Sequence, residues 1–172
     1  MSVLERIEIA TGNIAEQPDL DAIVNAANAE LRIGGGVAGA IHSKGDPELE
    51  RETRPLAPIK PGEAVRTSAP NLPNTHIIHC LGPRYGIDEP AAELLSDCYR
   101  NALMIAANEE IESVGFPAIS AGAFGYPAQE AVQIAVRTTL QWLEANAYPR
   151  FVRFVPFDEA TRDLYVKACQ GE

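Results

Sequence analysis

The chain has 172 residues, 46% of them hydrophobic and 22% charged, which fits one globular domain with enough material for a full core. Its net charge of −10 and pI near 4.8 exclude a broad electrostatic grip on nucleic acid or on an anionic membrane. No run approaches the ~18 apolar residues of a membrane span, and the N-terminal segment lacks a signal-type apolar core.

Three cysteines occur, Cys80, Cys98 and Cys169, without a C-x-x-C pair. The expectation is a reduced, cytoplasmic protein. A small anionic ligand stays compatible with the acidity. Backbone amides act over a few ångströms, and the global charge is screened beyond about 8 Å at physiological salt.

Leu4 to Ala10 alternates in polarity and reads as a strand. A Thr-Gly-Asn-Ile turn and a polar segment to Asp19 follow. Ala22 to Val24 is a second, buried strand. A helix is predicted from about Val37 to Lys44, and another after Pro47, with Asp46 as its cap, to about Arg54. Pro55, Pro58 and Pro61 mark a surface loop. Strands follow at Ala64–Thr67 and His76–Leu81. Glu89 to Glu110 carries an apolar helical stripe through Leu94, Leu95, Cys98, Leu103, Ile105 and Ala106. Ser113–Ala118 is a strand, a helix opens at Pro127 or Ala128 and runs to about Ala145, ended near Pro149, and Phe151–Val155 is the last strand. Asp158 caps a final helix through Cys169. With no repeat or linker, residues 1–172 read as one domain. Alternating strands and helices predict an α/β fold, a parallel or mixed sheet with helices on both faces.

Two loops stand out, each between a strand and a helix. The first runs from Asn25 and Asn28 to Gly34, Gly35 and Gly36, then Val37. Glycines leave no Cβ between backbone and ligand. Successive N–H groups leading into a helix N-terminus form a concavity that suits a phosphate or pyrophosphate. Asn25 and Asn28 offer neutral donors and acceptors for ribose hydroxyls or a water. The second loop holds Ser120, Ala121, Gly122, Ala123 and Phe124. There Ser120 is a donor toward phosphate oxygen and Phe124 a cover for a sugar ring, or else a core residue. In open α/β sheets ligands bind at the carboxyl ends of the strands, so both loops are expected to converge on one crevice.

Other chemistries fit less well. A nucleophile elbow needs G-x-S-x-G, and Ala118 stands in the first glycine's place before Ser120. His76 and His79 on one strand point to opposite faces, which argues against a metal site with Cys80. His42, one turn after Ala38, is a base or a packed helix histidine. Gly34, Gly36 and Gly39 match G-x-G-x-x-G, yet Asn25 to Ile33 separate them from their strand, unlike a dinucleotide fingerprint. Walker A is absent.

Taken together these residues resemble a macrodomain, the ADP-ribose-binding module. The likeness covers nearly the whole chain. It rests on Asp21–Asn28, Gly34–His42, Gly62–Val65, Ile77–Pro83, Phe116–Pro127 and Val155–Asp158, in the family's order. The resemblance implies a three-layer α/β/α fold with a mixed sheet of about six strands. It implies that Asn13, with Ile14 beside it, meets adenine and that Phe157 stacks on it. Gly34 to Val37 and Ser120 to Phe124 would cradle the diphosphate, and Asn28 would reach the distal ribose. No metal or other cofactor is implied.

Two positions depart from the family. Its usual aspartate, which accepts from the adenine amino group, is Asn13 here. Hydrolases of the MacroD type carry an aspartate ten residues after the second asparagine; here it is Ala38. The sequence therefore supports binding of ADP-ribose or of ADP-ribosylated protein, with hydrolysis of ADP-ribose derivatives at Asn28. A non-catalytic reader module is the alternative, and a nicotinamide-dinucleotide enzyme a third reading. Oligomeric state is left open.

Overall fold

Residues 2–171 are described by the structure, a computed structural model. Among them the strands are β1 (Ile7–Ile9), β2 (Ala22–Ala26), β3 (Ala64–Ser68), β4 (His76–Cys80), β5 (Ser113–Phe116) and β6 (Phe151–Phe154). The helices are α1 (Gly36–Gly45), α2 (Glu48–Thr53), α3 (Ala91–Asn108), α4 (Ala128–Ala145) and α5 (Glu159–Cys169). The strands form one sheet in the order β1-β6-β5-β2-β4-β3. Neighbours run parallel except for β3, which lies antiparallel to β4 at the edge. The predicted mixed, six-stranded, three-layer arrangement is therefore present.

The period of two along each strand sorts the core into two layers. Ala22, Val24, Ile78, Cys80, Val114, Phe116, Val152 and Phe154 face α3, α4 and α5. Ile23 and Ile77 face the other way, against Ile41 of α1 and Leu49 of α2. Burying each such side chain contributes about 1.5–3 kcal/mol. Helix α3 supplies Leu95, Cys98, Ala102 and Ala106 from one stripe, all fully buried. Helix α5 starts where expected, with Asp158 Oδ1 accepting from Thr161 N–H at 2.8 Å.

Several boundaries differ from the sequence reading by a residue or more, and three of the differences have a clear physical reason. The first strand is short because residues Val3–Arg6 coil into a 3-10 turn. That turn delivers the Arg6 guanidinium to the end of α4, where it donates to the carbonyls of Leu143, Asn146, Ala147, Pro149 and Arg150. These include the carbonyls a helix end leaves without partners. Strand β2 runs two residues further, through Asn25 to Ala26, because Asn25 pairs in register with His79 of β4. Strand β5 ends at Phe116, before Pro117, which has no N–H to offer the ladder.

The parallel strands all point one way. The segments after β1, β6, β5, β2 and β4 therefore gather along one edge of the sheet, and both glycine-bearing loops are among them.

Candidate functional site

The first loop is built on Asn28. Its side chain closes a ring over the next turn: Oδ1 accepts from Arg32 N–H at 3.0 Å, and Nδ2 donates to Arg32 O at 2.7 Å. Leu31, at φ +56 and fully buried, anchors the turn beneath, and Thr53 Oγ1 donates to Leu31 O at 2.8 Å. The chain then climbs through the glycines. Gly36, at φ +55, makes the bend that starts α1. Its N-cap is Gly35, without any side-chain cap. The first N–H groups of α1 are thus left to a ligand or solvent. A Cβ on Gly35 or Gly36 would meet nothing within 4 Å, so the approach is open.

The second loop stands opposite, on β5. Ser120 sits at φ +67 and is 6% exposed. Its hydroxyl donates to Pro83 O at 2.8 Å. Gly125 N–H returns to Gly122 O and Tyr126 N–H to Ser120 O. Among the described residues nothing accepts from the N–H groups of Gly122, Ala123 and Phe124. Tyr85 N–H donates to Phe124 O at 2.8 Å. Phe124 is half-buried against the cluster of Ala27, Leu31, Ile59 and Leu81. That cluster joins residues of the first loop to a residue of the second, so the two predicted loops do meet at one crevice.

On the β1–β6 side, Gly12 N–H donates to Pro156 O at 3.0 Å, which brings the turn holding Asn13 and Ile14 beside Phe157. Phe157 is 89% exposed, an aromatic face with little protein against it. Ile14 is buried and roots the turn in the core.

Two expectations about individual groups need correction. Asn25 is fully buried in β2, and its Nδ2 lies 3.0 Å from His79 Nδ1. It belongs to a polar row beneath α1 rather than to the ligand face, because strand pairing carries it inside. The Ser120 hydroxyl is held by Pro83 O and is not the phosphate donor; only its backbone lies on the loop. The Asn13 oxygen accepts from Ala15 N–H at 2.9 Å and keeps a second lone pair toward the base.

The row beneath α1 is informative in itself. His79 Nε2 lies 2.9 Å from Thr67 Oγ1. Burial, then the nearby His42 charge, lowers the His79 pKa to about 3, so this imidazole is neutral. His42 is also buried, and its Nδ1 meets Asp46 Oδ1 at 2.9 Å. These partners make both histidines internal polar groups. His76 lies beside Arg66, on the other side of β4 from His79, as alternation requires. Ala38 is 4% exposed at the start of α1.

Sequence reasoning missed the scaffold behind these loops. Arg153 of β6, 11% exposed, donates to Asp19 at 2.7 Å and to Gln17 at 2.9 Å, and also meets Glu8. Gln17 in turn donates to Asn13 O at 2.9 Å. Gly82 lies against Ser120. Neither contact leaves a local signal, since each joins segments far apart in the chain.

Comparison with known proteins agrees with this geometry. The Macro domain family model matches residues 24–135. A macro domain-containing protein of Mesorhizobium japonicum is 49% identical over 96% of this chain and 94% of its own. An O-acetyl-ADP-ribose deacetylase of Salmonella typhimurium is 41% identical over 94% of this chain and 93% of its own. Among solved structures, the Oceanobacillus iheyensis macrodomain with ADP superposes with a TM-score of 0.91 at 37% identity, covering 96% of this chain and 90% of that one. The Trypanosoma brucei macrodomain in complex with ADP-ribose gives 0.87 at 35% identity, covering 96% and 69%. With the predicted crevice present and the two sequence relatives matched along more than nine-tenths of their length, the chain belongs to the macro domain family.

Proposed function

We propose that the protein binds ADP-ribose in the crevice between the two loops and hydrolyses ADP-ribose derivatives there. The carrying observation is the pair of facing N–H arrays, the uncapped start of α1 and the unpartnered amides of Gly122, Ala123 and Phe124. Neutral amides hold a diphosphate without a basic patch, which reconciles an anionic ligand with a net charge of −10. Gly34 to Val37 and the backbone of Ser120 to Phe124 take the diphosphate, and Phe157 takes the base.

Asn28 is the reacting-end residue in this reading. Its amide gives one N–H and one lone pair to Arg32, and so keeps a second N–H and a second lone pair. These suit a ribose hydroxyl and a water. For O-acetyl-ADP-ribose, the named substrate of the Salmonella relative, water oxygen bonds to the acetyl carbon and the ester C–O bond breaks. The ribose oxygen leaves with a proton, giving acetate and ADP-ribose. ADP-ribose 1″-phosphate and mono-ADP-ribosyl protein are further substrates of the same end. Ala38 offers no carboxylate to take the water's proton, so substrate phosphate is the base in this scheme. The same observation favours a second reading, a non-catalytic ADP-ribose reader. Buried or half-buried free thiols support a reducing, cytoplasmic setting.

Release of ADP-ribose from O-acetyl-ADP-ribose, followed by chromatography, separates the two. Release that disappears in Asn28→Ala supports the hydrolase; none above buffer from any of the three substrates leaves the reader.

A further inference from the structure

The order of the sheet gives the crevice two ends. The turn holding Asn13 and the exposed Phe157 stand over β1 and β6. The two glycine loops follow β5 and β2, and β4 lies beyond β2, on the side away from β1. The loop after β4 therefore borders the end where Asn28 stands. Two contacts place it there. Tyr85 N–H donates to Phe124 O at 2.8 Å. Phe124 in turn packs against Ala27 and Leu31, which lie on either side of Asn28 in the chain.

That loop is held in one shape. Arg84 donates to Asp88 Oδ2 through its backbone N–H and Nε, at 2.8 and 3.0 Å, and to Oδ1 through Nη2 at 3.1 Å. Ile87 N–H and Asp88 N–H donate to Arg84 O. Gly86, at φ +81, makes the bend. The Tyr85 ring lies against that of Tyr126, with 4.8 Å between centroids. Arg84 and Asp88 cancel each other's charge, so the loop shows Tyr85 and Ile87 outward. On the first loop Asn28 holds both the N–H and the carbonyl of Arg32. Ile33, the next residue, is thereby fixed at the same end.

Among the described residues seven large hydrophobic side chains are exposed, and four border the crevice: Phe157 at one end, and Ile33, Tyr85 and Ile87 at the other. Exposed apolar groups gathered in this way mark a contact surface. Free ADP-ribose leaves them uncovered, since its distal ribose ends at Asn28. An acetyl ester adds one methyl beyond its carbonyl, too little to cover them. A polypeptide joined to that ribose leaves the crevice across them. Side chains already fixed by their loops lose little entropy on contact.

We propose that Ile33, Tyr85 and Ile87 form a docking rim for a polypeptide that carries ADP-ribose on a side chain flanked by apolar residues. This rests on the reading of the crevice given above and names, among its substrates, the one the rim favours.

The test is calorimetric titration with free ADP-ribose and with two synthetic peptides, each carrying one ADP-ribose through a hydrolysis-resistant amide link. One peptide has leucine and valine around the modified residue, the other glycine and serine. The wild type should bind the apolar peptide about fivefold or more tighter than free ADP-ribose, and the glycine-serine peptide within about twofold of it. Ile87 is 65% exposed, so Ile87→Ser should fold as the wild type does, as melting curves check. It should lose about threefold or more of the peptide's advantage and keep its affinity for free ADP-ribose. Equal affinity for all the ligands, an equal gain with both peptides, or a full gain retained in folded Ile87→Ser overturns the proposal and leaves the crevice reading intact. A wild-type dimer, seen by analytical ultracentrifugation and abolished by Ile87→Ser, would also overturn it by giving the rim to a second copy of the chain. Failure of every ligand to bind overturns the crevice reading and this proposal together. Should Ile87→Ser not fold, the two peptides on the wild type decide.

Discussion

Replacing Gly82 with alanine should damage the second loop without altering any residue in it. A Cβ at Gly82 would lie 2.1 Å from Ser120 Oγ and 2.6 Å from Ile119 Cγ2. Both separations are below those real Cβ atoms adopt, so the serine hydroxyl must leave its bond to Pro83 O. Ser120 is 6% exposed, and stranding its hydroxyl costs about 1–3 kcal/mol. Crowding against Ile119 adds about 1–3 kcal/mol. With partial relaxation the loss is about 3 kcal/mol, or about 6–12 °C of melting temperature for a domain of this size. The N–H groups of Gly122, Ala123 and Phe124 move with Ser120, so ADP-ribose affinity should fall about tenfold or more. Melting curves and calorimetry read both effects. In a Ser120→Gly background the hydroxyl and the Cβ, the latter 3.4 Å away, are both gone, and glycine suits φ +67. There the cost of Gly82→Ala should shrink by about 1 kcal/mol or more. Unchanged melting and affinity in Gly82→Ala, or equal costs in both backgrounds, would refute the idea that this contact sets the loop.

Phe157→Ala should leave the melting temperature nearly unchanged, within about 0.5 kcal/mol of stability, since the ring touches little protein. Its ADP-ribose affinity should still drop about tenfold by loss of the base stack, read by calorimetry. His79 binds no proton in the folded state until about pH 3, while the unfolded residue does so near 6.5. The unfolded state therefore holds more protons in that window. Stability is full above 6.5 and falls as pH drops toward 3, by up to about 1.4 kcal/mol per pH unit. Denaturant titrations from pH 7 to 4 should show this slope, and His79→Gln should flatten it. Asp19 is held down to about 2, chiefly by the Arg153 hydrogen bond, so its contribution is present above 3.8 and lost as pH falls toward 2. Arg153→Met should move the Asp19 carboxyl titration, followed by NMR, back toward 3.8. It should also weaken ADP-ribose binding a few-fold by releasing Gln17 from the Asn13 turn.

The layers of the fold were legible because period-two strands and the α3 stripe record burial directly. Helix α4 was bounded to within about a residue, since Pro127 and Pro149 flank it. Both crevice loops were readable for a related reason: glycines between a strand and a helix mark places where backbone must be bare. What the sequence could not show was the use of each polar group. Asn25 and Asn28 look alike three residues apart, yet strand register buries one and the loop ring presents the other. Ser120 looks like a phosphate donor until Pro83 O is seen to accept its hydrogen bond. The first strand was over-extended because alternation in Leu4–Arg6 says nothing of the distant carbonyls that Arg6 must reach. Such assignments depend on partners distant in sequence or on which end of an amide turns inward, and neither is written in residue order.

The most direct measurement is a calorimetric titration of the wild-type protein with ADP-ribose beside AMP. If the two amide arrays hold a diphosphate and the distal ribose reaches Asn28, ADP-ribose binds at least about tenfold tighter than AMP, and Asn28→Ala narrows the difference. Equal affinities would contradict the account, because the loops would then contribute nothing beyond the nucleoside monophosphate.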